Sequence, residues 1–584
     1  MKKNSIVAAG FAATLVASTP AWGFTFDDIH YWVGEGTNRV GITIDWGGTA
    51  KAWGYRWNGD TAKLGDAIRA IAREDYRLHI GESYGYVTGL GYDLMDTAAR
   101  FDMNTGVSTD TNALVAIQRQ LYMPDHPYAW NGYVYQYWIT IKNPGVTYDA
   151  TACNDYTALV DNETLRPDTW YSFAYGIDLS LHEPTAAETP YGFSVVGCHT
   201  QASKNTYTEN DPNVVLGRPT DTVYDGWAGG TCVVNPAIPA FGEGTVLTLE
   251  DEDGGAYVTI AFDHDVVDDP ANPFGVDFIV FGNAGMASST GMCYNNTDPE
   301  SATCVTSEYS FDEPGIVEVS HDGVTWRRCD GHADTSAMPT LARMYAPTNP
   351  DTSVYEGNAF WGAPTNPCFP VDPSIAMEHC IGLTFAEICK RYNGSAGGRG
   401  FDISSLDLPE DSKGRKWFRY VRISNAEVEN DEGDILPTTP EVDAVADVAP
   451  VSAYKNWVCN NFSWAEAWKT NLTASTATAA NGLPNGLNCV YGLAPTDTVV
   501  TDVPFRVESF TPGGTEHSIK MLSPCVLTNA PRGLVVKETS TLGSGWNSVR
   551  PTLVSSESQG DGTWLNTFTV PKGEGTFFKL VLDE

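Results

Sequence analysis

Short apolar runs separated by turn residues dominate the hydrophobic pattern in the middle of the chain. The runs are rich in Val, Ile, Phe and Tyr and bounded by Gly, Asp, Asn and Pro, which predicts β-strands. They read GGAYVTIAFDHDV (254–266), VDFIVFGNA (276–284), GIVEVSHDGVTW (315–326), FRYVRISNA (418–426) and EVDAVADV (441–448). Asp322-Gly323 predicts a hairpin turn, because glycine tolerates the positive φ that such turns require. Without interleaved helices, these strands predict a β-sandwich over 191–450, with an insertion over 330–415.

The block Phe278-Ile279-Val280-Phe281 has no polar residue in alternation. A strand of this kind is buried on both faces. Asp277 and Asn283 at its ends are predicted to satisfy backbone groups or an ion. The segment is therefore interpreted as scaffold and not as the wall of a catalytic cleft.

Helical periodicity occurs before and after this region. Leu64, Ala67, Ile68 and Ile71 follow the i, i+3, i+4, i+7 spacing of an amphipathic helix. A weaker pattern predicts a second helix over 111–123. Together with strand-like runs such as RVGITIDWG and GYVYQYWITI, these helices predict an N-terminal α+β domain over 24–190. A further helix is predicted inside the insertion, over 377–394.

The last part of the chain is predicted to begin with a linker of helix and turns over 451–498, where Ser463 is a suitable N-cap. A small C-terminal Ig-like β-sandwich is predicted over 499–584. Its expected strands are PFRVESFTP, HSIKML, GLVVKETS, WLNTFTV and FFKLVLDE. The whole chain is thus predicted to be mainly β and multi-domain, with a central jelly-roll-like sandwich.

The first 23 residues combine Lys2 and Lys3, an apolar run and small residues, which is typical of a secretory signal peptide. No later stretch reaches the roughly 18 apolar residues of a membrane helix. We therefore expect a secreted or cell-surface protein, with the periplasm as an alternative. The formal net charge of -38 argues against a nucleic-acid partner, since phosphates repel an acidic surface.

All 12 cysteines follow residue 23, and no CxxC spacing occurs. In an exported protein an even number of cysteines predicts disulfides in preference to a zinc ribbon or redox motif. Short-range pairs are plausible, although spacing alone leaves the connectivity open. The pairs considered are Cys293/Cys304, Cys380/Cys389 and Cys459/Cys489.

Five ordered blocks carry a family resemblance between 240 and 448: GGAYVTIAFDHDVVDDPANPFGVDFIVFGNAG, EPGIVEVSHDGVTW, GGRGFDISSLDLP, FRYVRISNAEV and PEVDAVADV. They resemble the galactose-binding-like (discoidin-like) β-sandwich of secreted bacterial cell-surface proteins. The resemblance implies a sandwich that binds ligands through loops at one edge. The chain departs from that pattern at Arg399 and Glu441, where the family tends to have Asp, so no ligand role is carried over to these two residues.

Both ends of the chain also resemble exported bacterial proteins. The matching stretches near the N-terminus include YWVGEGTNRVGITIDW and AWGYRWNGD, and those near the C-terminus are NGLPNGLNCVYGLAPTD and GTFFKLVLDE. Through DAIRAI, YGYVTGLGYD and YQYWITIKNPG, the N-terminal region is weakly similar to the β-grasp module of transcobalamin-like proteins. That similarity implies capture of a corrinoid-like small molecule as an alternative function.

Clustered acids make calcium the expected metal, because Ca²⁺ takes 6–8 oxygen ligands. In sandwiches of the resembled family, a structural calcium joins the start of the module to an acid of its last strand. This resemblance implies Glu250 or Asp251, together with Asp443, as ligands. The alternative is that these acids are solvated turn residues.

Candidate ligand contacts are aromatic, since sugar rings stack on Trp and Tyr faces. Trp326, Tyr355 and Trp361 lie in or beside predicted loops, and core packing is their alternative role. No HExxH, P-loop or strand-borne GxGxxG occurs. Paired carboxylates for glycoside hydrolysis carry little weight in so acidic a chain.

These patterns predict a secreted, non-catalytic binding or adhesion protein that recognises a glycan or another extracellular ligand. No catalytic residue is proposed, and whether the protein is an enzyme is left open. The alternatives are a secreted carbohydrate-active enzyme and an extracellular protein that captures small molecules.

Overall fold

The computed structural model describes most of the chain after residue 23. The described residues are 24–94, 99–108, 110, 113–125, 131, 133–150, 155–157, 160–176, 181–205, 209–225, 230–291, 293, 297–311, 313–335, 338–429, 434–462, 470–480, 485–491, 493–496, 516–523, 534–539, 547–549, 552–558, 564–571 and 577–582. Strands predominate throughout, so the prediction of a mainly β, multi-domain protein is confirmed. None of the helices in these ranges is long and apolar enough to cross a bilayer.

The chain divides into two compact units. One consists of Met1–Glu74, Ile80–Leu90 and Ala116–Ala187, and the other contains the remaining segments, Asp75–His79, Gly91–Val115 and Glu188–Glu584. Each unit is described separately below.

The first unit is built on an eight-stranded mixed sheet. Six strands form its main path, in the order Trp32–Val33, Ala50–Trp57, Asn38–Asp45, Thr169–Gly176, Tyr133–Pro144 and Asp155–Thr157, while Thr185–Ala186 and Arg119–Tyr122 pair at the sides. The helix Leu64–Glu74 buries Leu64, Ala67, Ile68 and Ile71, which confirms the helical pattern read from the sequence. An α+β character is therefore confirmed for this part of the chain.

Glycine at position 41 is required by close packing in this sheet. Gly41 lies in register with Trp170 of the adjacent parallel strand, and a Cβ atom at position 41 would lie 2.2 Å from the Trp170 ring. The fully buried indole thus occupies space that any other residue would fill.

The second predicted helix, over 111–123, is wrong. The described residues of this stretch form two strands, Leu114–Ile117 and Arg119–Tyr122. The second of these pairs with Tyr133–Gln136 in antiparallel register, so its backbone groups are satisfied by a long-range partner. This tertiary pairing overrides a local pattern that rests on few apolar positions.

Two small sheets contain the neighbouring strands. Leu114–Ile117 joins Leu78–Ser83 and Tyr86–Tyr92 in a three-stranded sheet, and Phe101–Asp102 pairs with Val107–Ser108.

The predicted central sandwich begins with a five-stranded antiparallel sheet. Its spatial order is Ser194–His199, Tyr257–Val267, Trp417–Asn425, Gly315–Ser320 and Arg327–Ala333. The Asp322-Gly323 hairpin connects the last two strands as predicted, with Gly323 at φ 71°. Asp322 accepts hydrogen bonds from the backbone N–H groups of Val324 and Thr325, which stabilises the turn.

A three-stranded antiparallel sheet completes the sandwich. Phe278–Phe281 is its central strand, between Arg399–Phe401 and Ala444–Asp447, and all four of its residues are buried as predicted. Side chains from both sheets share one hydrophobic core, in which Phe278 and Phe401 stack and Phe418 meets Phe278 edge-on. Leu247–Thr248 pairs with Glu441–Val442 beside this sheet.

A second core lies next to the sandwich and is built from several excursions of the chain. It contains residues between 223 and 246, between 286 and 304, and between 338 and 392. The paired strands here are Thr222–Asp225 with Gly230–Val233, Gly285–Ser288 with Cys304–Phe311, and Arg343–Tyr345 with Trp361–Pro364. Glu427–Glu429 pairs with Ile435–Pro437 elsewhere. Of the helix predicted over 377–394, the structure forms a 3-10 turn, Met377–His379, and the short helix Phe385–Arg391, because Gly382 has a φ of 80° between them.

The C-terminal part contains the helices Ala453–Asn461, Thr470–Thr473 and Asn485–Tyr491 and two three-stranded antiparallel sheets. In the first sheet the strand order is Glu516–Ser523, Trp564–Pro571 and Thr552–Ser558. In the second sheet it is Asn547–Val549, Leu534–Thr539 and Phe577–Leu582. Ser452 caps the first of these helices, and the predicted N-cap Ser463 lies outside the described residues. The predicted strand over 504–512 also lies outside the described residues.

Further 3-10 turns occur elsewhere in the chain, at Phe26–Asp28, Pro212–Val215 and Pro273–Gly275.

The three predicted disulfide pairs are not formed in this structure. Each contains at least one free thiol: Cys293, Cys304, Cys380, Cys389 and Cys459 are all free. Cys329 and Cys198 are also free. Sequence proximity was the basis of the predicted pairs, but the fold gives these side chains other neighbours. The Cys293 thiol, for example, donates to Ser288 Oγ at 3.2 Å.

Candidate functional site

Strand ends from the five-stranded sheet and from the neighbouring strand pair Leu247–Thr248/Glu441–Val442 bring three carboxylates together. Asp334 directly follows the strand Arg327–Ala333, Glu313 precedes Gly315–Ser320, and Glu441 begins Glu441–Val442. One carboxylate oxygen of each residue lies within 4.8 Å of the corresponding oxygens of the other two. We call Glu313, Asp334 and Glu441 the carboxylate cluster. Among the described residues, it is the group of acids, histidines and cysteines that could hold a metal ion.

Asp334 is held rigidly by main-chain donors. Its Oδ1 accepts hydrogen bonds from the N–H groups of Asn283 at 2.7 Å and Ala284 at 2.9 Å, and its Oδ2 accepts one from Glu441 N–H at 3.0 Å. Its backbone is in the left-handed region, with φ 54°. Asn and Asp adopt this conformation most readily among residues other than Gly. Asp334 can therefore take it while its carboxylate joins the ends of two strands.

Gly282 makes this approach possible. A Cβ atom at position 282 would lie 2.3 Å from Asp334 Oδ1 and 2.9 Å from the Glu441 carbonyl oxygen. The turn after the buried strand Phe278–Phe281 therefore needs glycine so that the carboxylate can reach the following N–H groups. Asn283 was predicted to satisfy backbone groups or an ion. Its N–H donates to Asp334, while its side-chain Oδ1 is buried and has no hydrogen-bond partner among the described residues.

Glu441 is the least compensated member of the cluster. Its side chain is buried, with 8% of the residue exposed. Thr248 Oγ1 donates to Oε1 at 3.4 Å, whereas Oε2 has no hydrogen-bond partner among the described atoms. Glu313, the most accessible member, accepts a hydrogen bond from Thr439 Oγ1 at 3.1 Å.

Burial and mutual repulsion raise the pKa of two members of the cluster. Burial raises the pKa of Asp334 to about 8, and the charge of Glu313 adds to this effect, although the main-chain hydrogen bonds oppose it. Burial, followed by a side-chain hydrogen bond with Glu313 and by the charges of Glu313 and Asp334, raises the pKa of Glu441 far above its usual range. Carboxylates in such a position either stay protonated or need a cation.

A small recess adjoins the cluster. It is lined by Asp334, Gly282, Thr340 and Arg399, among others. Thr340 is 3% exposed, and its Oγ1 and the Nε atom of Arg399 are buried without hydrogen-bond partners in the described part of the chain. The recess has room for about one water molecule or an ion, whereas pockets for small molecules usually enclose ~300–1,000 Å³.

The predicted calcium ligands have other partners. Asp251 accepts hydrogen bonds from His199 Nε2 at 2.9 Å and Gln201 Nε2 at 2.8 Å, and Glu250 is exposed. Asp443 is buried and accepts hydrogen bonds from Thr220 N–H and Oγ1. Burial raises the pKa of Asp443 to about 7. The structure therefore does not gather Glu250, Asp251 and Asp443 into one ligand set.

Two of the three predicted aromatic contacts pack against the second core. Trp361 is 4% exposed and belongs to the second core, so its faces are covered by protein. Tyr355 packs against the same core, and burial raises its pKa to about 12. Trp326 is partly exposed, but the Arg422 guanidinium lies 4.2 Å from its ring centre. Trp361 therefore packs in the core, which was the alternative role for these residues. Part of the Trp326 ring is accessible.

Sequence reasoning did not identify Glu313 or Asp334, and it noted Glu441 only as a departure from the resembled pattern. The one available signal was Gly282-Asn283 directly after a buried strand, which marks a turn with special backbone requirements. Comparison of the chain with protein-family models, with curated proteins and with solved structures found no match.

Proposed function

We propose that the protein is a secreted, non-catalytic binding protein in which a divalent cation, calcium above all, joins the strand ends around the carboxylate cluster. The observation that carries this proposal is the buried and unpartnered Oε2 of Glu441 beside two further carboxylates. A cation at this point would compensate charges that no ion pair in the described residues compensates. The loops that it orders would then receive an extracellular ligand.

The spacing of the cluster fits a calcium ion. Ca²⁺ binds oxygen ligands at about 2.4 Å, so two ligands of one ion lie at most about 4.8 Å apart. The three carboxylates meet this limit. Asn283 Oδ1, which is buried and unpartnered two residues after the strand Phe278–Phe281, is a neutral oxygen of the kind that calcium also accepts.

The same geometry favours ion binding over glycoside hydrolysis. A general acid and its partner carboxylate must face the glycosidic bond. Both oxygens of Asp334 are instead engaged by main-chain N–H groups, and Glu441 is buried. The adjoining recess is also smaller than a pocket for a sugar ring.

Export and the nature of the ligand belong to this proposal. The signal-like residues 1–23 and the resemblance of 240–448 to discoidin-like sandwiches support a secreted protein that binds a glycan or a similar surface ligand. Trp326 is the remaining aromatic candidate for contact with that ligand, since part of its ring is accessible.

The decisive experiment measures the melting temperature of the chain at pH 8, first with excess chelator and then with added Ca²⁺ or Mg²⁺. Isothermal titration calorimetry under the same conditions measures how many ions bind. We expect one Ca²⁺ per chain and a rise of the melting temperature by about 5 °C, because a ligand that binds only the folded state stabilises it. Glu441→Gln should abolish this rise. Glu427→Gln, at an exposed strand residue, is the matched control and should respond like the unmodified chain.

An unchanged melting temperature in chelator and in Ca²⁺ would overturn the proposed cation site. Glycan-array binding in the presence and absence of Ca²⁺ then tests the binding role separately. Release of sugars from a polysaccharide would contradict the non-catalytic assignment.

A further inference from the structure

Two buried cysteines of the second core lie on segments that are hydrogen-bonded to each other. Cys304 N–H donates to the Leu383 carbonyl at 3.0 Å, and the Cys304 carbonyl accepts from Gly382 N–H at 2.8 Å. The turn that contains Cys380 closes on the same point, since Leu383 N–H donates to the Cys380 carbonyl at 3.1 Å. The main chain of Cys304 is therefore bonded to the residues that directly follow Cys380 in this turn.

The pairing continues beyond the turn and fixes the register of the two segments. Thr303 and Thr384 form an antiparallel bridge, and Phe385 N–H donates to the Ala302 carbonyl at 3.0 Å. Residues opposite each other in antiparallel pairs have Cα atoms about 4.5–5.5 Å apart, and a tight turn brings residues i and i+3 within about 7 Å. Disulfides form over Cα separations of about 4.4–6.8 Å, and this arrangement places Cys380 one tight turn away from Leu383, the residue opposite Cys304.

Both side chains are inside the same apolar cluster. Cys304 and Cys380 have no exposed surface, and both belong to the second core. Burial raises the pKa of Cys380 to about 11, and the charge of Cys304 is a further cause, which means that the two sulfur atoms interact electrostatically. The Cys304 thiol otherwise donates only a weak hydrogen bond to the Thr306 carbonyl, at 3.5 Å.

We propose that Cys304 and Cys380 form a disulfide bond that closes the second core when the protein meets a small-molecule or protein disulfide as oxidant. One cysteine thiolate attacks a sulfur of the oxidant and releases one of its halves as a thiol. The other cysteine then attacks the mixed disulfide and releases the second half. Both cysteine S–H bonds are lost, two electrons pass to the oxidant, and its two halves leave as thiols.

The buried position determines when this bond forms. Fully buried thiols are protonated near neutral pH and are inaccessible to an oxidant in the folded protein. We therefore expect the bond to form during folding and to resist reduction afterwards. It would join residues 304 and 380, so the loop that it closes contains the strands Arg343–Tyr345 and Trp361–Pro364.

The test refolds the full chain in a buffer of oxidised and reduced glutathione, blocks the remaining thiols with iodoacetamide and maps the peptides after digestion at low pH. A peptide that links Cys304 to Cys380 is the expected result. A link between Cys304 and Cys293, or alkylation of both Cys304 and Cys380 under all conditions, would overturn the proposal. This measurement needs no variant, so it does not depend on whether a substituted chain folds.

Thermal unfolding provides the second readout. The refolded chain should melt about 5 °C higher than the same chain after denaturing reduction and refolding in a reductant. The double variant Cys304→Ser and Cys380→Ser should lose this difference. Cys389→Ser, which changes a cysteine buried in the same core, is the matched control and should retain it. Equal loss in both variants would contradict the assignment of the bond to Cys304 and Cys380.

Discussion

Asp334 and Glu441 are connected twice: the Asp334 carboxylate accepts the Glu441 backbone N–H at 3.0 Å, and both side chains belong to the carboxylate cluster. The backbone contact fixes the position of Asp334 at the start of the strand Glu441–Val442. The side chains then face each other's charge across a buried space. Two carboxylates placed in this way repel each other when both are ionised, so the site is sensitive to protons.

The stability of the chain should therefore fall as the pH rises from about 5 to about 9 in the presence of a chelator. Burial raises the pKa of Asp277 and of Asp334 to about 8 and that of Asp443 to about 7, from values near 4 in the unfolded chain. Between these values the folded state retains protons that the unfolded state has released, so the free energy of unfolding decreases with pH. Calorimetry at one-unit pH intervals should show the melting temperature falling by several degrees. A steady rise over this range would contradict the assignment.

Calcium affinity should show the opposite trend, if the proposed function is correct. Ca²⁺ binds ionised carboxylates, so binding must displace the protons held by Asp334 and Glu441. The apparent dissociation constant should tighten by up to about tenfold per pH unit for each proton released. Calorimetric titrations in buffers of different ionisation enthalpy count these protons directly. An affinity independent of pH between 6 and 8 would be inconsistent with binding at this cluster.

Substitution of Gly282 by Ala should destabilise the sandwich and disturb the cluster. The new methyl group would lie 2.3 Å from Asp334 Oδ1, so Asp334 must release the N–H groups of Asn283 and Ala284. We expect a cost of about 2 kcal/mol in the free energy of unfolding, as for other overpacked sites. Gly197→Ala is the control, because its methyl group would make an ordinary 3.4 Å contact with Tyr257. Urea unfolding of both variants distinguishes a local clash from a general effect of alanine.

The two tryptophans named as ligand contacts should separate stability from binding. Trp361→Ala removes a buried ring from the second core and should cost about 3–5 kcal/mol. Trp326→Ala loses mainly the contact with Arg422, which is worth about 0.5–1 kcal/mol at an accessible site. Denaturant unfolding gives both values, and ligand binding by the stable Trp326 variant shows whether this ring contacts a glycan. A small cost at Trp361 would contradict its placement in the core.

His264 should contribute stability that is lost only at high pH. Burial opposes its charge, but hydrogen bonds to Asp263 at 2.8 Å and to Asp447 at 2.9 Å raise its pKa to about 10. Because the folded pKa lies above the unfolded value, this contribution is fully present below about pH 6.5 and disappears as the pH rises through about 10. His264→Asn should cost about 3 kcal/mol at pH 6, since two buried carboxylates lose their partner. Above pH 8 the unmodified chain should lose stability as His264 releases its proton, and the variant should not show this loss.

Local patterns predicted much of the fold. The apolar block 278–281 became the buried central strand, and the periodicity beginning at Leu64 became a helix, because each pattern is long or strong enough to decide its own structure. The weaker pattern over 111–123 failed, since pairing of Arg119–Tyr122 with a distant strand outweighed it. The short-range cysteine pairs are not formed, because spacing along the chain does not determine which thiols face each other inside a packed core.

The sequence by itself determined the strand-rich class, the order of the sandwich strands along the chain and the leader-like segment, because hydrophobic alternation and turn residues act within a few positions. Only the tertiary structure decided which acids meet. Glu313, Asp334 and Glu441 are distant in the chain and become neighbours through strand pairing. The raised pKa values of Asp334 and Glu441 arise from burial, which no local pattern encodes. The chemistry of this site is therefore a property of packing.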